Sequence, residues 1–142
     1  MSSRLDKGRE KFDELYGLGG SERLISSFAG LGRDLARYGV EFNFGDIYSR
    51  PGLSMAQREL LSLATLVALG GVDPQLRGHT KGALNVGATP LEILETVVHT
   101  VQYVGFPRAL NALKVVTDAL VEAGAELPPE TGAPPGSGER PA

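Results

Sequence analysis

The sequence predicts an all-α domain of about six helices, and three observations carry that prediction. Alternating apolar–polar runs of the β type are nearly missing. Apolar residues recur instead at three- and four-residue spacings. Gly, Pro and hydroxyl or carboxylate residues punctuate these stretches at helical lengths. With 142 residues, the chain suits one domain able to bury a core without disulfides or metal.

Residues 2–16 place Leu5, Phe12, Leu15 and Tyr16 on a helical stripe amid charges, and Gly17, Gly19 and Gly20 stop that helix. Ser21 is the expected cap of a second helix over 21–38, on which Leu24, Ile25, Phe28, Leu31, Leu35 and Tyr38 share one face; Gly39 closes it. The stretch VEFNFGDIYSRPGLS (40–54) has no period and mixes aromatics with Gly and Pro, which predicts a loop that packs. Ser54 caps a strong helix through Leu69, ended by Gly70-Gly71. Asp73-Pro74 reads as an N-cap with proline at the first helical position, opening a helix to about Val86. Thr89-Pro90-Leu91-Glu92 spells a capping box for a helix to about Val104. These last two helices are expected to form a tight hairpin. Pro107 opens a final helix to about Ala123. The remainder, 124–142, is 9 of 19 Pro plus Gly and is expected to be a disordered tail to a single domain over 1–123.

Composition removes several function classes. Cysteine is absent, which excludes disulfides, thiol nucleophiles and thiolate metal sites. The net charge of −3 and the scattered basic residues argue against a nucleic-acid surface. No apolar run reaches the ~20 residues of a membrane span, and the charged start MSSRLDKGREKF lacks a signal-peptide core. A cytoplasmic location is the expectation.

Chemistry must therefore run on carboxylates, imidazole, guanidinium, hydroxyls and amides. Only two histidines occur, His79 and His99. His79 sits in RGHTKGALNVGAT, where Gln75 and Ala83 are its helical neighbours and Lys81 pairs with Asn85. Small neighbours leave room for a ligand beside an imidazole, whose ordinary titration near pH ~6.5 suits proton transfer. A core histidine satisfied by a carbonyl is the plain alternative. Glu59 opens the apolar run RELLSLATL, where a carboxylate either orients His79 or merely complements the helix dipole. Glu95, His99 and Tyr103 share one helical face, as part of a pocket or as a polar stripe at a subunit interface. Arg50, Arg58, Arg77 and Arg108 are candidates to bind a carboxylate, with Arg50 favoured beside Tyr48. His79, His99 and Glu59 have ligand chemistry but no close metal-binding spacing, so no metal is expected.

The motifs G-D-I-Y-x-R-P-G-L, R-E-L-L, H-x3-A-x-N-x-G and H-T-x-x-Y-x-G-x-P follow one another over about residues 42–120. That chain of motifs resembles the carboxymuconolactone decarboxylase family, with its all-helical AhpD-like fold. The family's peroxidase branch carries a Cys-x2-Cys pair ahead of the histidine that matches His79. Val72 and Gln75 stand at those positions here, so the resemblance is to the cysteine-free decarboxylase branch. It implies a homo-oligomer, a trimer or hexamer, and a functional role for Glu59, which matches a functional glutamate of the peroxidase branch.

It also implies a lyase that needs no cofactor, acting on an unsaturated carboxylated lactone. There the electrons left by the departing carboxylate flow through the ring double bond into the lactone carbonyl. The protein must hold the anion, stabilise the oxyanion and deliver one proton. On this reading His79, Glu59 and His99 are catalytic, while Arg50, Tyr48, Arg58, Arg77 and Tyr103 bind substrate. Two other readings stand beside it: the same fold used for proton transfer, cyclisation or ring rearrangement on a secondary-metabolite-like molecule, and a non-catalytic oligomer that binds a ligand.

Overall fold

The computed structural model describes residues 1–130, and among them there are seven α-helices, one π-helical segment and no strand. In order these are α1 (Arg4–Tyr16), α2 (Gly20–Ser26), α3 (Leu31–Gly39), the π segment (Val40–Ile47), α4 (Met55–Leu69), α5 (Asp73–Asn85), α6 (Pro90–Val104) and α7 (Phe106–Glu122). Among the described residues no helix is long and apolar enough to cross a membrane.

The helix starts follow the local chemistry. Ser3 with Asp6, Ser54 with Gln57 and Thr89 with Glu92 each form a capping box that satisfies two amides at once. Asp73 differs from its expected place: it is the first helical residue, and Val72 precedes the helix without a side-chain cap.

Three further expectations are corrected. The stripe over 21–38 is two helices, broken between Ser26 and Leu31. Ser26 and Ser27 donate their hydroxyls to the Glu22 and Leu24 carbonyls, and Gly30 follows at φ +55°. These local bonds compete with helix continuation. The chain does not stop at Gly39, which has helical dihedrals, but runs on into the π segment. Finally, α5 and α6 form no tight hairpin. They touch only marginally, while α6 packs on α4 and α7, and α5 on α4 and α7. After α7 the Ala125 amide still donates to the Leu120 carbonyl, and its methyl packs on the core. The expectation for the tail beyond residue 130 lies outside the described residues.

Burial organises two clusters. Helices α4 to α7 enclose Leu63, Val67, Leu76, Ile93, Val97, Val116 and Leu120. The N-terminal elements enclose Phe12, Leu15, Ile25, Val40, Phe44 and Tyr48. α1 lies closely on the π segment, and Gly8 makes that approach possible, since a Cβ there would collide with the Val40 carbonyl. α1 also packs on α5, so the two clusters meet along that seam.

Candidate active site

At the seam sits a hydrogen-bonded set of polar side chains drawn from α1, α4, α5 and the residue that follows the π segment. Glu59, in the second turn of α4, is fully buried at 0% exposure. A carboxylate so placed requires partners, and it has two. Its Oε1 accepts the Tyr48 hydroxyl at 2.7 Å, and its Oε2 lies 2.9 Å from His79 Nδ1. Since Tyr48 spends its one proton on Glu59, the Ser62 hydroxyl donates to Tyr48 at 2.7 Å. Glu59 thus does more than complement the dipole of α4, because its side chain is aimed inward at the imidazole.

His79 projects from the middle of α5 with its side chain 17% exposed. Its Nδ1 edge faces Glu59 and also the Tyr16 hydroxyl, 3.2 Å away at the end of α1. Among the described residues nothing hydrogen-bonds Nε2. A carboxylate can only accept, so a proton on Nδ1 satisfies Glu59 and leaves Nε2 for a ligand. Burial first, and the Glu59 charge second, push the Tyr16 and Tyr48 hydroxyls well above the ordinary phenol range. Both remain neutral across any physiological pH.

Beside this set lies a cavity of about 340 Å³, lined by His79, Tyr48 and Ser62 on one side and by Arg58, Asn43 and Thr65 among apolar residues. Ile47, Leu53, Leu61 and Leu66 complete its wall, with Leu53 and Leu61 exposed at its rim. Arg58 is held in place by donating Nη2 to the Arg50 carbonyl at 2.9 Å. It is the one cationic side chain among the cavity's lining residues.

The structure brings together His79, Glu59, Tyr48 and Arg58 from the sequence-based candidates and places the others elsewhere. Arg50 braces Arg58 through its backbone and does not line the cavity. Arg77 pairs with Glu122 at 2.6 Å, and Lys81 reaches the same carboxylate at 3.3 Å. The expected Lys81–Asn85 pair is therefore not formed, and Asn85 instead donates to the Leu15 carbonyl at 2.6 Å. Arg108 donates to the Ala68 carbonyl. His99 and Tyr103 lie on the exposed face of α6, their rings 6.0 Å apart, with Gln102 beside His99. His99 thus shares neither the cavity nor a metal-ligand set with His79 and Glu59; among the described residues no three His, Asp or Glu side chains converge. Tyr16, Ser62 and Asn43 are site residues that sequence reading passes over. Tyr16 reads as one more apolar-stripe residue, and nothing in its spacing points to a partner 63 positions away.

The chain is 30% identical over 121 residues to 4-carboxymuconolactone decarboxylase of Acinetobacter baylyi, covering 85% of this chain and 90% of that protein. It is 40% identical over 76 residues to nitrosuccinic acid decarboxylase npaB of Metarhizium robertsii, covering 54% of this chain and 52% of that protein. It is 35% identical over 89 residues to peroxisomal protein 2 of Schizosaccharomyces pombe, covering 62% of this chain and 41% of that one. With residues 33–118 matching the family as a whole, the chain belongs to the carboxymuconolactone decarboxylase family.

Proposed function

We propose that this protein is a decarboxylase of a small unsaturated carboxylated lactone or a close relative, with His79 as the group that moves the proton. The observation that carries this reading is the buried Glu59–His79 pair, 2.9 Å apart, which leaves Nε2 of His79 toward a cavity containing Arg58. Arg58 holds a carboxylate of the substrate. The bond from the ring carbon to the departing carboxylate breaks and CO2 leaves. Its electron pair passes through the ring double bond to the carbonyl, and the Nε2 proton of the His79 imidazolium closes the carbon centre, leaving the neutral ring protonated at Nδ1. The imidazole regains a proton from solvent. The substrate supplies its own electron sink, so the reaction requires no added cofactor. Glu59 supports the imidazolium, and Tyr48 with Ser62 holds Glu59 in place.

Both decarboxylase relatives fit this scheme, since an unsaturated lactone and a nitro group each accept an electron pair. The direct test is a spectrophotometric assay with γ-carboxymuconolactone on the wild type and His79→Ala. Turnover that falls by about 10²-fold or more in the variant supports the reading; equal turnover removes His79 from the chemistry.

One observation favours a second reading of the substrate. A dianion meets a single arginine in a cavity whose lining also includes four aliphatic side chains, Ile47, Leu53, Leu61 and Leu66. That suits a monocarboxylate, or a ring-bearing molecule of secondary-metabolite type undergoing proton transfer or rearrangement. A folded wild type inactive on γ-carboxymuconolactone, yet active on a monocarboxylated ring compound, would establish it.

We further propose a homo-oligomer. Val98, Phe106 and Leu110 expose between 50% and 70% of their surface around one apolar hollow between α6 and α7. Such a patch is costly for a monomer to leave in water.

A further inference from the structure

We propose that Tyr16 is a positioning residue for His79: its hydroxyl and the Glu59 carboxylate clamp Nδ1 from two sides, fix the ring proton there and leave Nε2 to the cavity. The inference rests on the reading of His79 as the proton carrier, and it adds a residue that lies outside the family-matched segment 33–118.

The geometry supports it at three points. First, Glu59 Oε2 only accepts, so Nδ1 carries the proton, and Tyr16 Oη at 3.2 Å is then a second, longer acceptor for the same N–H. The Tyr16 and His79 rings meet edge to face, 6.1 Å apart at 81°.

Second, α5 is shaped to admit both partners. Gly82 lies one turn after His79, and a Cβ there would come within 3.0 Å of Glu59 Oε2 and 3.1 Å of Tyr16 Cε1. Any larger residue would press on both arms of the clamp.

Third, the end of α1 is pinned where Tyr16 needs to be. Asn85, two turns after His79 on α5, donates to the Leu15 carbonyl at 2.6 Å. Asp13 accepts the Gly19 and Ser21 amides at 2.8 Å each, which fixes the turn that follows. Phe12 and Phe44 pack on the Tyr16 ring, with centroids at 4.6 and 6.2 Å.

The titratable and charged groups around the imidazole are Glu59 and Arg58 from α4, Tyr16 from α1 and Tyr48 after the π segment. On α5 itself, Arg77 and Lys81 are engaged by Glu122 of α7. Of these only Glu59 and Tyr16 touch the ring nitrogen. An acceptor for the Nδ1 proton favours the charged imidazole, so its removal makes that form harder to reach.

The test is an NMR pH titration of the two histidines in wild type and Tyr16→Phe. Phenylalanine keeps the ring packing and removes only the hydroxyl, and His99, exposed on α6, is an internal control. The expected result is a His79 midpoint lowered by about 0.5–1 pH unit, with His99 unmoved. Gly82→Ala, which keeps the hydroxyl but crowds the clamp, should lower the same midpoint. In turnover, the alkaline limb of kcat/KM should move down by the same amount, with KM within about twofold. A His79 midpoint that stays fixed or rises in folded Tyr16→Phe overturns the clamp, as does an equal shift of both histidines. The titration requires no substrate. A wild type without decarboxylase activity therefore defeats the functional reading while a shifted midpoint still upholds the clamp.

Discussion

His79 shows how little one side chain means without its partners. On its own helix it has small and polar neighbours, and only packing supplies the carboxylate at Nδ1. The tyrosines beside it carry a consequence for stability. In the folded chain, burial and the Glu59 charge keep the Tyr16 and Tyr48 hydroxyls protonated above the ordinary phenol range. In the unfolded chain each phenol ionises near pH ~10. The folded state therefore holds more protons at alkaline pH, and stability falls as pH rises above about 10. Below that value the contribution is fully present. Urea midpoints at pH 9 and pH 11 should show this loss in the wild type, and the double variant Tyr16→Phe, Tyr48→Phe should show less of it. Equal pH dependence in both proteins would mean that these phenols are freely solvated.

Among the elements, the π segment separates prediction from structure most clearly. Its sequence has no 3.6-residue period and contains glycine, so it reads as a loop. The chain instead makes wider turns, with the Tyr48 amide donating to the Asn43 carbonyl five residues back at 2.8 Å. This winding delivers Tyr48 to Glu59 and Asn43 to the cavity. α1 rests directly against it at Gly8. Helix propensity alone makes Gly8→Ala stabilising by about 0.5–1 kcal/mol. The contact with the Val40 carbonyl opposes this, and backbone on both sides cannot yield cheaply. Overpacking of this kind costs about 1–3 kcal/mol, so the variant should be destabilised overall. Chemical denaturation measures the sign, and a gain in stability would show that α1 can lift off the π segment.

For the whole molecule, the two clusters and the seam between them explain why the site lies where it does. Each cluster is apolar within, and the polar set occupies the junction at which α1, the π segment, α4 and α5 converge. The exposed apolar faces of α6 and α7 are the other large-scale feature. Light scattering coupled to gel filtration should give a mass that is a multiple of 15.0 kDa, and Phe106→Glu should shift it toward the single chain. A wild type that elutes as a monomer would sink the oligomer proposal.

Taken by itself, the sequence determines the helical class, the helix cap at Ser54 and the capping box at Thr89, the exclusion of thiol chemistry, and the choice of His79 and Glu59 as a pair worth testing. These are local properties, or properties of composition, and a few neighbouring residues suffice to specify them. Helix packing alone decides that α5 and α6 part to flank α4 and α7, that His99 and Arg77 face away from the cavity, and that Tyr16 closes on His79 from 63 positions away. The reason is that periodicity fixes which face of a helix is apolar but not which helix that face meets. That choice depends on the summed fit of many side chains and on close approaches such as those at Gly8 and Gly82, and it exists only once the chain has folded.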